Sequence, residues 1–194
     1  MEKSKIDIAV LLIFFARLKH TAKVFEQIRL ARPSKLFLYQ DGAREGRQDD
    51  VEGIKACRKI VENIDWECEV HRMYQEKNYG CDPSEYISQK WMFSMVDKGI
   101  ILEDDDVPSQ SFFPFCKELL EKYEHDTRIS LISGINYMEE TKDCPYSYFF
   151  SSDVAIWGWA TWKRVIDAWG GQYTFTKDEY HRRRFRKLFK EHKL

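Results

Sequence analysis

Four carboxylates stand side by side at Glu103-Asp104-Asp105-Asp106, directly after the short apolar run Gly99-Ile100-Ile101-Leu102. Adjacent anions repel one another, and removing them from water is costly unless a cation or a set of donors compensates. On a surface helix such a cluster would be a solvated patch. Following a buried strand, it falls at the carboxyl edge of a sheet, where open α/β folds bind ligands. An all-oxygen donor set suits Mg²⁺ or Mn²⁺, ions that bridge a few carboxylates to substrate phosphates. The plainer alternative is a strand-to-helix turn whose acids favour the N-terminus of the next helix.

Spacing excludes several other acidic motifs. A calcium-binding EF-hand loop counted from Asp104 needs Gly and Glu where Ser109 and Phe115 stand. An aspartyl-phosphate site would follow the first strand, with Thr or Val where Pro108 lies. Neither a P-loop nor a G-x-G-x-x-G sequence occurs, so phosphate handling would rest on metal and side chains.

The elements that must position these acids alternate between short apolar runs and longer helical ones, which predicts βαβ units and a mostly parallel sheet. The first strand is expected near 7–15. A helix follows from about Thr21, with Val24, Phe25, Ile28 and Leu30 on its apolar face, and Pro33 ends it. A second strand covers Lys35 to Tyr39, and a polar loop runs from Gln40 to Asp50. Further helices are expected near 51–63 and 84–97, and further strands near 67–73, 99–102 and 129–132. Ser109 or Ser111 is the expected cap of a helix that buries Phe112, Phe115, Cys116, Leu119 and Leu120.

The 194 residues suit one α/β domain, and 43% hydrophobic content argues for a packed core. The formal charge of −1 conceals a basic tail: residues 182–193 carry +6, leaving −7 for the remainder. Five scattered cysteines form neither a zinc pattern nor an evident disulfide framework, which suits a cytoplasmic setting. The run Ile8 to Ala16 is too short to span a bilayer and lacks a small-residue cleavage pattern, so it reads as a buried strand.

Together with Arg17, Asp41 and Ile156-Trp157-Gly158-Trp159-Ala160-Thr161-Trp162, the cluster resembles the motifs of bacterial glycosyltransferases of the GT-A fold. The resemblance is greatest to a group labelled hemolysin-related, and more distant to the N-acetylglucosaminyltransferase I family. It covers roughly residues 6–170 and lies in the order and spacing of motifs. The fold it implies is a Rossmann-like, three-layer α/β/α sandwich with a mostly parallel central sheet. Such a domain would occupy residues 1–180, with 181–194 as a basic tail or helix. The implied activity is metal-dependent, inverting transfer of a sugar from a nucleotide sugar, a UDP-sugar in the first instance, to a glycan or lipid-linked hydroxyl. Cell-surface polysaccharide synthesis is the implied setting, and Mn²⁺ or Mg²⁺ the implied cofactor.

Residue by residue, the resemblance places Arg17 beside the nucleotide and gives Asp41 the uracil N–H. It makes Asp105 the direct metal ligand, sets Asp104 near the ribose and sugar, and gives Glu103 a supporting role. Asp106 has no required counterpart. The residues allow plainer readings too: Arg17 as an exposed helix start, Asp41 as part of an Asp-Gly turn. Trp157 and Trp159 are candidates for a wall against sugar C–H faces, although core packing accounts equally well for some of the tryptophans. Asp153, five residues before Gly158, is the candidate base that takes the acceptor proton, or else a loop residue capping a helix.

Relatives continue well past the tryptophan-rich segment into a region that completes both substrate sites, part of which this chain is expected to lack. A non-catalytic sugar-nucleotide-binding module and a nucleotidyltransferase are therefore carried as alternatives. Phe185, Leu188 and Phe189 lie at i, i+3 and i+4 among basic residues, which suits either a helix packed on the domain or peripheral membrane contact. Nucleic acid is not an expected partner, because no recognition motif accompanies the basic tail.

Overall fold

The computed structural model describes residues 2–136, 144–171 and 174–191, apart from the side chains of 175, 176, 185 and 188–191. Its centre is β1 (Ile6–Phe14), in which Val10, Leu11 and Leu12 are wholly buried. A strand this apolar on both faces must be covered on both, as parallel α/β sheets are. It pairs in parallel with β2 (Pro33–Gln40) on one side and β4 (Lys98–Glu103) on the other. β3 (Glu69–Tyr74) extends the parallel part beyond β2. Past β4 the sheet continues with β6 (Trp159–Trp162), antiparallel to it, and then β5 (Leu131–Ser133). The order is β3-β2-β1-β4-β6-β5.

Alternation along the strands sends Val10, Leu12, Leu36, Leu38, Ile100 and Leu102 to one face and Leu11, Ile13, Phe37, Tyr39 and Ile101 to the other. The first face is covered by α1 (Leu18–Ala31), α2 (Gln48–Val61) and α4 (Phe112–Lys122), through residues such as Phe25, Cys57 and Phe113. α3 (Cys81–Phe93) and α5 (Lys163–Ala168) cover the second with Met92, Phe93 and Ile166. This is a three-layer, Rossmann-like α/β fold with a mostly parallel sheet. A single-turn 3₁₀ segment (Thr174–Lys177) precedes α6 (Glu179–Glu191). Phe185, Leu188 and Phe189, expected to form an apolar stripe on α6, have side chains outside the described residues. Among the described residues, no helix is long and apolar enough to cross a membrane.

Local details depart from the expected pattern in three places. Leu30 is exposed, because the buried face of α1 runs through Thr21, Val24, Phe25, Ile28 and Ala31. No serine side chain caps α4: Ser109 and Ser111 hydrogen-bond each other at 2.9 Å instead. Within the tryptophan-rich segment, Trp159 and Trp162 lie in a buried strand, β6, and of the tryptophans there only Trp157, ahead of it, is exposed.

β4 can lie so close to β1 because position 99 carries no side chain. A Cβ there would stand 2.9 Å from the Ala9 carbonyl oxygen. Gly99→Ala should therefore destabilise the protein by about 1–3 kcal/mol through overpacking, read as a lowered urea midpoint with an unchanged m-value.

Candidate functional site

Asp104 is the buried centre of the acidic run, with a side chain only 4% exposed. Its Oδ2 accepts from the Phe15 backbone N–H at 3.2 Å and lies 3.5 Å from the Thr21 hydroxyl. Its Oδ1 takes a charge-assisted bond from Arg17, whose other terminal nitrogen reaches Asp105 at 2.9 Å. That pairing, led by the Asp104 hydrogen bond, holds the Arg17 guanidinium well above its ordinary pKa despite an opposing effect of burial. The end of β1 is gripped from its other side by Gln40, which donates to the Phe15 carbonyl at 2.6 Å. Gly53 brings α2 onto the same turn, since a Cβ there would sit 2.6 Å from the Ala16 oxygen.

Asp106 turns back on its own loop. One oxygen accepts the backbone N–H groups of Glu103 at 3.1 Å and Gly158 at 2.9 Å. Gly158 holds a left-handed φ of 67°, and its carbonyl receives the Gly134 N–H at 2.8 Å. The loop after β4, the end of β5 and the approach to β6 are thus tied at one point. Beside it lies a cleft of about 630 Å³ whose lining includes the acids Glu103, Asp105 and Asp106 and the apolar Phe112, Ile135 and Trp157. Asp105 is half-exposed there. Burial first, then the charges of Asp106, Asp105 and Asp104, push the Glu103 carboxyl above its ordinary range. Asp106 is raised as well, chiefly by burial, with its two backbone donors opposing.

The other candidates are distributed unevenly. Arg17, Asp104 and Asp105 meet as the sequence predicts, but Asp104 is withdrawn from the cleft lining into a structural junction. Asp41 is likewise occupied: its carboxylate accepts from the backbone N–H groups of Gly42, Tyr79 and Gly80 and from the Asn78 amide, at 2.9–3.1 Å. It organises the loop between β3 and α3, where the sequence reading gives it a base to recognise. Trp157 is 55% exposed and lines the cleft; Trp159 is 8% exposed and packs in the core. The expected pair of wall tryptophans is therefore one, because strand alternation turns Trp159 inward. Asp153 lies exposed in the loop before Trp157 and is not among the cleft-lining residues.

Two acids escaped the sequence reading. Asp50, 3% exposed, takes a bidentate pair from Arg44 at 2.7 and 2.8 Å and orders the loop after β2. Glu85, on α3, faces the acidic run from the second side of the sheet. Burial, followed by the negative charge of Glu103 and against a hydrogen bond from Gln89, pushes its carboxyl up to about 7. Nothing in the local sequence separates Glu85 from an ordinary helical glutamate. Only the packing of α3 beside the end of β4 does so.

A divalent ion can be tested against this donor set. Among the described residues, no three His, Cys, Asp or Glu side chains converge on one point. One half-exposed oxygen donor on a cleft wall, Asp105, does suit an ion whose remaining ligands are water and substrate phosphate.

Fold and site together define a Rossmann-like α/β domain with an acidic cleft at the carboxyl edge of its sheet. No protein-family model matches the chain, and no curated protein matches it. Among solved structures, it is similar to a 4-diphosphocytidyl-2C-methyl-D-erythritol synthase from Anaerococcus prevotii DSM 20548. The TM-score is 0.45 at 12% identity, over 82% of this chain and 71% of that one. A likeness of that degree bears on neither substrate nor reaction.

Two predictions follow the geometry. Trp159→Ala should cost about 3–5 kcal/mol of stability in chemical denaturation, with Trp157→Ala well below that. Glu85 binds a proton in the folded state up to about 7, whereas an ordinary glutamate releases it near 4.5. The folded protein therefore holds more protons between those values, and stability should fall as pH rises through that window. Glu85→Gln should flatten the decline and leave the variant more stable at about pH 8, by on the order of 2 kcal/mol. Urea titrations across the window measure both.

Proposed function

We propose that the chain is a metal-dependent, inverting glycosyltransferase domain that takes its sugar from a nucleotide sugar, with UDP as the nucleotide, and passes it to a glycan or lipid-linked hydroxyl. The observation that carries the reading is the joining of Arg17, from the end of β1, to Asp104 and Asp105, from the end of β4, beside the 630 Å³ cleft. The motif resemblance supplies the reaction class.

Each residue in this reading has a separable task. Asp105 would hold Mn²⁺ or Mg²⁺, which when bound offsets the charge of the departing nucleoside diphosphate. Arg17 is half-exposed, so its guanidinium can exchange the Asp105 carboxylate for a phosphate oxygen while Asp104 keeps it in place. Trp157 offers an apolar plane to a sugar ring. The acceptor hydroxyl must lose a proton as it attacks the anomeric carbon. Asp153 is the carboxylate that the motif order offers for that task, and Glu103, which lines the cleft, is the alternative. Asp41 then acts by shaping the loop beside the nucleotide rather than by reading the base directly. A cytoplasmic enzyme with its basic tail at the inner membrane face is the setting in which lipid-linked acceptors would be met.

The second reading is a binding module without turnover, favoured by the placement of Asp153 away from the cleft wall. Turnover divides the two: Mn²⁺-dependent release of UDP from a UDP-sugar belongs to the enzyme, and binding without release belongs to the module. For both readings, Asp105→Ala should weaken Mn²⁺-dependent UDP binding by at least about tenfold in calorimetric titration. Undiminished binding in that variant would remove the assignment of Asp105.

A further inference from the structure

The cleft carries a charge pattern that bears on which sugars can enter it. Its lining includes the acids Glu103, Asp105 and Asp106 together with the apolar side chains of Trp157, Ile135 and Phe112. Among the described residues lining it there is no Lys, Arg or His. The adjacent cation, Arg17, is engaged by Asp104 and Asp105, so the lining formed by the described residues is net acidic.

Carboxylates are acceptors only, so these acids can receive hydroxyl or ammonium donors but offer nothing to an anion. A pyranose ring presents hydroxyls around its rim and C–H groups on its faces. It therefore matches a cavity whose lining combines carboxylate acceptors with a half-exposed indole. A sugar carboxylate in the same place would face the carboxylates of Glu103, Asp105 and Asp106, and like-charge juxtaposition is a strong means of rejection. A metal–diphosphate at Asp105 would not reverse that balance, because the diphosphate brings its own negative charge.

We infer that this cleft is a saccharide subsite selective for uncharged or amino-bearing pyranoses, and that it discriminates against uronic acids and other anionic sugars. The inference rests on the glycosyltransferase reading for its setting. The sugar held there belongs either to the donor or to the acceptor; the two share one chemistry, and experiment can separate them.

The test is calorimetric or saturation-transfer titration of the whole chain at about pH 8, where ordinary carboxylates are ionised. One arm compares a neutral methyl hexoside with the matching methyl hexuronide, without nucleotide. The other compares a UDP-hexose with the matching UDP-hexuronate in the presence of Mn²⁺. At least about tenfold weaker binding of the acidic member is expected in the arm that corresponds to the resident sugar. Trp157→Ala should lower affinity for the neutral member of that pair. The paired substitution Glu103→Gln with Asp106→Asn should narrow the discrimination, and it keeps an oxygen at 106 for the Glu103 and Gly158 N–H groups.

Equal or tighter binding of the acidic member in both arms overturns the inference, as does the absence of sugar-dependent affinity in either arm. Unchanged neutral-sugar affinity in Trp157→Ala overturns it too. The wild-type comparison decides the question even where the paired variant fails to fold. Binding of UDP with Mn²⁺ is measured separately, so loss of charge preference with intact UDP binding sinks this inference alone. Loss of UDP binding with intact preference among the glycosides sinks the donor reading instead.

Discussion

A carboxylate buried at the rim of a parallel sheet must be answered by donors, and Asp104 is answered from three places at once. The Phe15 N–H brings in the end of β1, Thr21 the first turn of α1, and Arg17 the turn between them. Because removing any one of these donors leaves the carboxylate poorly compensated, the three chain segments have little freedom to separate. Asp105 inherits its position from that arrangement. Being the next residue along, and sharing Arg17 with its neighbour, it is delivered to the cleft wall by a partner that is itself withdrawn from the cleft.

The same device recurs along the carboxyl edge. Asp41 gathers the backbone N–H groups of the loop between β3 and α3, Asp50 holds Arg44 in the loop after β2, and Asp106 ties the loop after β4 to Gly158. Three loops along the carboxyl edge are thus each tied by acid-to-donor bonds. Two different demands fall on one residue type. Acids that shape the site are buried and saturated with donors; acids available to a ligand are half-exposed or have raised pKa values, as Asp105 and Glu103 do.

That division explains what could be read from residue order and what could not. Strand and helix order through Leu120 was legible, because buried parallel strands are near-continuous apolar runs bounded by turn residues. The acidic end of β4 was legible by residue type and placement, whereas the pairing of Arg17 with Asp104 and Asp105 was not, since Arg17 was given a phosphate as its partner. The division between working and structural acids was not. Asp41 and Asp104 carry motif-like positions, yet their burial follows from Tyr79, Gly80 and Phe15 folding back onto them, which no local pattern announces. Trp159 was misread for a similar reason: three tryptophans in six residues suggest a surface, but Trp159 to Trp162 is a strand with Trp159 and Trp162 packed against opposite faces of the sheet. Glu85 became visible only when α3 was set beside β4.

The acidity of the cleft also limits how a charged donor can be held there. A diphosphate entering unaccompanied would meet Glu103, Asp105 and Asp106 with Arg17 the nearest compensating group, and Arg17 is shared between two of the site's own carboxylates. Binding of such a ligand therefore has to bring positive charge with it or release Arg17 from Asp105. A divalent cation held by Asp105 would supply that charge, and Arg17, kept by Asp104, would then have an arm available for a phosphate oxygen. The buried half of the ion pair is what makes the exposed half exchangeable: an arginine held at one end can trade partners at the other without leaving the site.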